Sequence, residues 1–520
     1  MLRFYFTIIF AVAFFNSFCQ SRLSPKIASY EIDLRLDIDE KKVFADQKLI
    51  WKNPSEIEVS ELQFHIYYNA FKNTESTFMR DRGVFEGLLS EGLKEDCGWA
   101  RTDILEFFDE AGNDLTSNMS YIHPDDDNEK DQTVLLVKLQ NPVQPGQVDT
   151  FNINWVSKIP KTMPRTGYNK DYYFMVQWFP KVGVYELAGS RFAEIDQWNC
   201  HQYHSTGEYY SDFGDYKVSM DVPSNFIVGA SGVLKNKIEK GDRAIWTYDV
   251  EDVIDFAWTA SPHYAVIEDK WNDVQIKLFT YPNHVHCAPR LIQSMKNVLT
   301  YMDEHVGTYP YPTISIVDPP IHGIFTGGME YPTLISTLNF CFFPTGVRTP
   351  EILVTHEFIH QYFMQMVATH EVEEPWMDEG FTTYFESRVM NKYYGVNNST
   401  IDFAGIHIGN AEFNRVEYLS SDNPKIAPGN TKSYEYKHGG YGTIAYNKTA
   451  MWLKTLEGLI GLETMDKVMQ TYFEKWKFKH PCGRDFIEVV NEVVEEDHGD
   501  KYGENMNWYF DQVLYGTVEC

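Results

Sequence analysis

Hydrophobic and polar residues alternate along much of the first half of the chain. Apolar side chains occupy every second position in parts of residues 28–51. Shorter stretches with the same pattern recur at residues 151–155, 216–220 and 244–248. Successive side chains of a β-strand point to opposite faces, so a period of two predicts strands with one buried face. Turn-forming clusters separate these stretches, and we therefore predict an all-β domain over residues 20–262.

The spacing of the apolar residues changes after about residue 262. Four stretches carry apolar side chains at helical spacing: residues 290–305, 351–367, 375–394 and 446–477. Pro375 stands where a helix is expected to begin, and Gly395 follows Tyr394 where it is expected to end. We therefore predict an α+β, multidomain chain whose second domain, residues 263–520, is mainly helical.

Composition narrows the classes of function. The chain has 520 residues, of which 43% are hydrophobic, and this excludes a disordered protein. It contains 45 Lys and Arg residues against 74 Asp and Glu residues, for a formal net charge of −29 at pH 7. A field of that sign repels a polyanion, so we expect no nucleic-acid partner.

The start of the chain is typical of a secretory signal peptide. Arg3 supplies the positive charge, residues 4–15 form an apolar run, and Ser17 and Cys19 are the small residues before a cleavage site. That run is too short to span a bilayer, and no later segment reaches about 18 apolar residues without a charge. We expect residues 1–19 to be removed, the protein to be exported to the periplasm or the medium, and the mature chain to have no transmembrane segment.

A lipid anchor on Cys19 is the alternative. It is less favoured because Phe18 stands where a lipoprotein signal carries a small residue. The other cysteines are scattered without a CxxC pair, which excludes a zinc knuckle: Cys97, Cys200, Cys287, Cys341, Cys482 and Cys520. Six cysteines allow 15 pairings, and the sequence selects none of them.

One motif in the second half carries the strongest chemical signal. His356 and His360 stand four residues apart in the pattern HExxH, with Glu357 after the first of them. Two residues four apart on a helix lie on one face, so both imidazoles can reach one ion. The glutamate lies beside the pair, where it can take a proton from a water molecule.

A third ligand follows at a suitable distance. Glu379 comes after His360 with eighteen residues between them, where the next helical stretch begins. A catalytic zinc ion takes three protein ligands and keeps one position open. In the alternative interpretation, His356 and His360 are ordinary core residues and Glu379 is an acid favoured in a first helical turn. The joint occurrence of HExxH and the spaced glutamate favours the metal site.

These motifs resemble those of the M1 zinc aminopeptidases, a family of gluzincins. GGMEY at residues 327–331 stands in the place of the family's GxMEN, and Tyr-Asn-Lys follows at residues 446–448. The likeness extends over most of the chain, with FGDY at 213–216, DFAW at 255–258 and WYFDQVLYG at 508–516. It implies a saddle-like N-terminal β domain followed by a thermolysin-like catalytic domain with a small sheet.

The resemblance also implies roles for particular residues. Three would hold one zinc ion per chain: His356, His360 and Glu379. Glu357 would be the general base, and Tyr446 would donate a hydrogen bond to the oxyanion.

The GGMEY segment would bind the substrate through Gly327, Gly328, Met329 and Glu330. The resemblance implies that Glu330 grips the free α-amine of the peptide. On its position alone, Glu330 is equally well explained as an acid in a turn after two glycines.

The sequence departs from the family pattern close to the substrate. Tyr331 replaces the Asn of GxMEN, which leaves the shape of the first specificity pocket open. Phe179 stands where many relatives carry a second amine-binding residue, so the ammonium has one fewer partner if that alignment holds. Thr449 replaces the Gly after YxK, and Met364-Gln365 replaces a Gly-Asn pair. None of these changes removes a zinc ligand, the base or the tyrosine.

Other histidines and acids are weaker candidates. His201 and His204, and likewise His284 and His286, form pairs without an accompanying acid at ligand spacing, and we expect them not to bind metal. Asp378 and Glu386 are either partners of the zinc-binding histidines or exposed helix acids, and exposure is favoured for Asp378.

The sequence therefore suggests an exported zinc metallopeptidase that removes residues from the free N-terminus of peptides. An endopeptidase or broader hydrolase on the same site is an alternative, supported by Phe179 and Tyr331. A non-catalytic zinc-containing binding module is less favoured, because Glu357 and Tyr446 are both present. The oligomeric state stays open.

Overall fold

A computed structural model of the chain describes residues 23–81, 98–161, 163–208, 210–338, 340–421, 425–436 and 439–518. The predicted signal peptide, with the alternative anchor Cys19, lies outside these residues. In the described ranges, no helix combines the length and apolar character that crossing a membrane requires.

Strands dominate the first half of the chain. They are β1 (Ala28–Asp37), β2 (Lys42–Lys52), β3 (Val59–His65), β4 (Arg101–Phe108), β5 (Met119–Ile122), β6 (Val134–Val143), β7 (Val148–Lys158), β8 (Gly167–Asn169), β9 (Tyr172–Met175), β10 (Lys181–Val182), β11 (Val184–Glu186), β12 (Gln197–Asn199), β13 (Gly214–Pro223), β14 (Ile227–Ala230), β15 (Val233–Lys240), β16 (Arg243–Val253) and β17 (Trp258–Ser261). The largest sheet has the order β15-β16-β13-β1-β2-β7-β4. Burial alternates along β1, as its sequence pattern predicts, and the alternate apolar residues line the core.

A smaller sheet follows, built from β18 (Ala265–Trp271), β19 (Val274–Thr280), β20 (Thr313–Val317), β21 (Met329–Tyr331) and β22 (Leu334–Ser336). Its order is β18-β19-β20-β22-β21. Strands β19, β20 and β22 run parallel, whereas β21 pairs antiparallel with β22 at the edge. Two further short strands, β23 (Ile401–Phe403) and β24 (Ile406–Ile408), form a separate hairpin.

Helices make up most of the remainder of the second half. After α1 (Thr77–Arg80) in the first half, they are α2 (Ala288–His305), α3 (Thr349–Ile359), α4 (Phe381–Tyr394), α5 (Asn410–Ser420), α6 (Thr449–Ile460), α7 (Leu462–Trp476), α8 (Gly483–His498) and α9 (Asn507–Val513). Two wide π-helical turns, Trp376–Gly380 and Gly442–Lys448, lead into α4 and α6. Helix α3 packs against β21 and β22. The α+β prediction, with a β domain followed by a mainly helical domain, is confirmed.

Two of the predicted helical stretches are interrupted. The stretch 351–367 is helical only as far as Ile359, and Met364 in the following turns has a φ of 121° that no α-helix accepts. The stretch 446–477 is divided by Gly461, whose φ of 91° ends α6 and begins α7. Apolar periodicity missed both breaks because apolar residues continue on both sides of each of them.

Candidate active site

The two histidines of the HExxH motif lie on the last turn of α3. His356 is within the helix and His360 is its C-cap residue, so both rings project from one face. Their ring centroids are 4.9 Å apart. Glu357 is buried beside them, and burial, opposed by the neighbouring imidazoles, raises its pKa to about 7.

Glu379 is presented to the histidines by the π-helical turn Trp376–Gly380. Its Oε2 lies 3.3 Å from His356 Nε2 and 3.3 Å from His360 Nε2. The eighteen intervening residues thus fold back and bring all three predicted ligands to one point. Two imidazole nitrogens and one carboxylate oxygen form a donor set typical of a catalytic zinc ion.

A carboxylate group contacts the Nδ1 atom of each imidazole, whereas the Nε2 atoms face Glu379. Glu386 Oε2 lies 2.8 Å from His356 Nδ1, and Asp378 Oδ1 lies 2.5 Å from His360 Nδ1. With a metal ion bound, these acceptors would keep the proton on each Nδ1 and leave the Nε2 lone pair free for the ion. The expectation that Asp378 is an exposed helix acid is wrong, because its side chain is fully buried. The π-helical turn Trp376–Gly380 directs the side chains of Asp378 and Glu379 toward the same pair of histidines.

The charged groups of the site favour the binding of a cation. Burial alone lowers the pKa of His356, but the hydrogen bonds that its ring donates to Glu379 and Glu386 outweigh this effect and raise that pKa to about 10. Burial likewise opposes ionisation of Glu379, yet the two histidines hold its pKa well below the usual value. In the absence of metal the acids are therefore neutralised by imidazolium, and a divalent ion can take over that role.

Tyr446 comes from the second π-helical turn, Gly442–Lys448. Its hydroxyl donates a hydrogen bond to Glu379 Oε1, and its ring lies parallel to His356 at 5.9 Å between centroids. Burial raises the pKa of this phenol well above its usual value, so it stays a proton donor.

The two wide turns contact each other at Gly380. A Cβ at this position would lie 2.0 Å from Thr449 Cγ2 and 2.9 Å from the carbonyl oxygen of Ala445. Thr449, the departure from the YxKG pattern, therefore packs against the residue that follows Glu379. This contact fixes the distance between Glu379 and Tyr446.

The GGMEY segment forms the opposite wall. Glu330 lies on β21 and is 6% exposed, and burial raises the pKa of its carboxyl well above the usual value. Gly328 has a φ of 74°, and its Cβ position is 3.7 Å from Glu357 Oε1, so the backbone approaches the Glu357 carboxylate closely. Gly327 and Met329 also line the cleft.

Two glutamines after the HExxH motif hold this wall in place, and the sequence analysis did not assign them. Gln365 Nε2 donates to the carbonyl of Glu330 at 2.6 Å. Gln361 Nε2 donates to the carbonyl of Tyr331 at 2.9 Å, and its Oε1 accepts from Thr333 N at 2.8 Å. The strand that carries Glu330 is thus tied to the segment that follows the predicted zinc ligands His356 and His360.

The cleft has a volume of about 230 Å³ and includes three further charged residues that the sequence analysis missed. Arg165 Nε lies 2.7 Å from Glu208 Oε1. Glu371 accepts a hydrogen bond from Tyr441 at 2.6 Å and another from the backbone N–H of Glu208. No short motif links these residues in sequence, because they come from both halves of the chain.

Two departures from the family pattern lie behind the cleft wall. Phe179 is 3% exposed and packs against Tyr30 in the β-domain core, with 5.3 Å between ring centroids. Tyr331 is 1% exposed and packs near Phe174. Gln177, close to Phe179 in sequence, donates to Glu208 at 3.2 Å. The β domain therefore supports the cleft through Glu208.

The folded chain places aspartates next to histidines of both pairs, although the sequence shows no acid at ligand spacing from them. Asp125 contacts both His201 (2.5 Å) and His204 (3.1 Å), while Asp318 lies 2.9 Å from His284. His286 is exposed and contacts a backbone carbonyl. These acids are distant in sequence, which is why spacing did not reveal them.

Comparisons with known proteins agree with this geometry. Residues 291–512 match the family model of the Peptidase family M1 domain. The chain is 30% identical to leucine aminopeptidase 2-1 of Meyerozyma guilliermondii over 32% of its length and 26% of the relative's. It is 27% identical to human glutamyl aminopeptidase over 42% of its length and 23% of the relative's. The matched part is thus about a quarter of each of these relatives.

The fold has relatives among solved structures over nearly its whole length. An M1 zinc metallopeptidase from Deinococcus radiodurans superposes with a TM-score of 0.64 and 12% sequence identity, covering 96% of both chains. A variant of that protein bound to a Tyr-Ser-Ala substrate superposes with a TM-score of 0.62 and 13% identity, covering 95% of both chains. At this identity the likeness establishes the two-domain fold.

The contact at Gly380 generates a prediction. Gly380→Ala should lower the free energy of unfolding by about 1–3 kcal/mol, because the added methyl group overpacks the contact with Thr449. A second change, Thr449→Gly, should restore part of the loss. Urea unfolding followed by tryptophan fluorescence measures both.

Gly458→Ala is the matched control. Its Cβ meets no atom within 4 Å, and α6 should gain about 0.5–1 kcal/mol from the change. A Gly380→Ala variant as stable as the parent would show that the two turns do not pack as described.

Proposed function

Because residues 291–512 form a Peptidase family M1 domain, we propose that the protein is a zinc aminopeptidase that hydrolyses the first peptide bond of peptides with a free N-terminus. The observation that carries the proposal is the position of Glu330. One carboxylate oxygen of Glu330 lies within 4.8 Å of ligand atoms of both Glu357 and His360. A positive peptide N-terminus bound there has its first carbonyl beside the zinc site.

His356, His360 and Glu379 are the residues that would hold one zinc ion in this site. When bound, zinc polarises a carbonyl group and lowers the pKa of a water molecule toward about 7. The rest of the chemistry falls to the protein's own side chains.

Glu357 is the general base. Its carboxylate lies in the cleft between the zinc ligands and the Gly328 backbone, where it can accept a proton from the attacking water and deliver it to the leaving amine. A pKa near 7, which burial produces, suits both directions of transfer at neutral pH.

Tyr446 stabilises the oxyanion. Its buried phenol keeps its proton and is held toward the ligand Glu379, so it is available to donate to negative charge that develops on the carbonyl oxygen. Loss of one such donor typically costs about 100- to 1000-fold in rate.

Glu330 selects the amino terminus. A buried carboxylate pairs strongly with an ammonium group but leaves its charge uncompensated against an acylated amine. Other acids in the cleft reinforce the preference for a cation, since Arg165 pairs with Glu208 while Glu371 contacts only neutral donors in the described structure.

The base assignment is tested by Glu357→Gln. We expect zinc content to stay at the parent value while peptide turnover falls at least about 100-fold, because the amide keeps the shape but cannot accept the proton. Zinc analysis and turnover of an aminoacyl reporter give the two readouts. Glu304→Gln, an exposed change on α2, is the control and should leave both unchanged. Unaltered turnover in Glu357→Gln would refute the assignment.

Amine selectivity is tested by comparing a free-amine aminoacyl reporter with its N-acetylated form. We expect the free amine to be preferred about 100-fold or more in kcat/KM, since an unpaired buried charge costs about 3 kcal/mol. Glu330→Gln should reduce this preference mainly through a higher KM for the free amine. Equal rates on both reporters would instead favour the endopeptidase alternative.

We extend the proposal to export. It is supported by the charged start, the apolar run at residues 4–15 and the small residues before Gln20. Mass spectrometry of the native protein should find a mature N-terminus at Gln20 in the exported fraction. A protein that keeps residues 1–19, or that carries a lipid on Cys19, would contradict this expectation.

A further inference from the structure

A second group of metal-ligating side chains lies apart from the residues assigned to the active site. His284 Nδ1 is 2.9 Å from Asp318 Oδ2, and Cys341 Sγ lies within 4.8 Å of ligand atoms of both. The thiol of Cys287 is within hydrogen-bonding distance of Cys341 Sγ. Three side chains of the types that bind zinc therefore meet at one place, and the thiol of Cys287 lies next to that of Cys341.

The topology of the small sheet brings these residues together. Strands β19, β20 and β22 are parallel neighbours, so their carboxyl ends lie at the same edge. His284 and Cys287 follow β19, Asp318 directly follows β20, and Cys341 follows β22. The sequence spacing is irregular because the sheet, and no single helix, gathers the donors.

The carboxylate of Asp318 lacks part of its bonding. The side chain is 1% exposed, and its Oδ2 accepts from Thr280 Oγ1 at 2.7 Å besides contacting His284. Its Oδ1 has no hydrogen-bond partner among the described residues. A buried carboxylate oxygen without a partner is costly, and a bound cation would satisfy it.

Arg290 does not supply the positive charge that would compensate the Asp318 carboxylate. Both oxygens of Glu351 contact the Arg290 guanidinium at 2.8 Å, and the backbone carbonyls of Phe343 and Val347 accept its remaining hydrogen bonds. Arg290 thus anchors the segment that carries Cys341 and leaves the Asp318 carboxylate to another partner.

We propose that His284, Asp318, Cys287 and Cys341 bind a second zinc ion. One imidazole nitrogen, one carboxylate oxygen and two thiolates are a closed four-ligand set of the structural kind, and the sulfur ligands disfavour calcium and magnesium. This cluster is called the sheet-edge site below. It adds one ion to the single zinc per chain expected from the sequence.

Backbone contacts connect the sheet-edge site to the cleft. Gly328 N donates to the carbonyl of Ser336 at 2.9 Å, and a Cβ on Gly327 would lie 2.0 Å from the carbonyl oxygen of Thr337. The loop that contains Cys341 begins immediately after these residues. An ion that fixes this loop therefore supports the backbone of the substrate-binding glycines.

The cluster around His201 is a weaker candidate for a metal site. His201, His370 and Glu373 also place ligand atoms within 4.8 Å of one another. However, Arg191 already contacts Glu373 at 2.6 Å, so the acid there has a resident cation. Of these two clusters, the sheet-edge site contains the buried acid with an oxygen that has no hydrogen-bond partner among the described residues.

Cobalt substitution tests the sheet-edge site in the unmodified protein. Zinc is removed with a chelator and replaced by Co²⁺, and the absorption spectrum is recorded. The sheet-edge site should give an intense thiolate-to-cobalt charge-transfer band, which the sulfur-free set His356, His360 and Glu379 cannot produce. Absence of that band from the cobalt-loaded protein would overturn the proposal.

Metal analysis of variants separates the two sites. The parent should hold two zinc ions per chain, and Cys341→Ser and Asp318→Asn should each hold one. Cys482→Ser, which changes another buried cysteine at the start of α8, should still hold two. Unchanged zinc content in both sheet-edge variants would contradict the proposal.

The outcome is independent of the proposed aminopeptidase activity. The double variant His356→Ala and His360→Ala should keep one zinc ion and the cobalt–thiolate band, whatever happens to hydrolysis. The two thiols are separate in the structure. A disulfide between Cys287 and Cys341, found by mass spectrometry of the native protein without reductant, would remove both sulfur ligands and overturn the inference.

Discussion

The active site depends on one carboxylate held between two wide helical turns. Oε2 of Glu379 faces the Nε2 atoms of His356 and His360, and its Oε1 accepts from Tyr446. The first turn carries the carboxylate and the second carries the tyrosine. They pack closely because Gly380 has no Cβ where Thr449 approaches. The proposed metal ligand and the proposed oxyanion donor therefore depend on the same contact.

Charge imposes the second constraint. The cleft gathers acids from both halves of the chain, and burial raises the pKa values of Glu330, Glu357 and Glu371. Arg165 neutralises Glu208, which leaves the other carboxylates to be compensated by something bound. The divalent ion and the peptide ammonium group of the proposed function would meet that need from opposite sides of the cleft.

The five-stranded sheet supports both proposed metal sites, in different ways. Its antiparallel edge strand β21 carries Glu330 into the open cleft, where a ligand position must stay free for chemistry. The carboxyl ends of its parallel strands gather His284, Asp318 and Cys341 into a cluster around the buried Asp318. We propose that an ion at the first place would serve catalysis, whereas an ion at the second would hold a loop.

The sequence by itself determined the α+β class, the sheet-forming first half and the helix that carries His356, Glu357 and His360, because these follow from local periodicity and from a four-residue spacing on one helix. The spacing after HExxH also pointed to Glu379, and the family resemblance added Glu330 and Tyr446. Only the tertiary structure decided the remaining roles. Asp378, Gln365 and Glu208 act through partners far away in the chain, and no local pattern encodes a contact that forms only when separate segments pack.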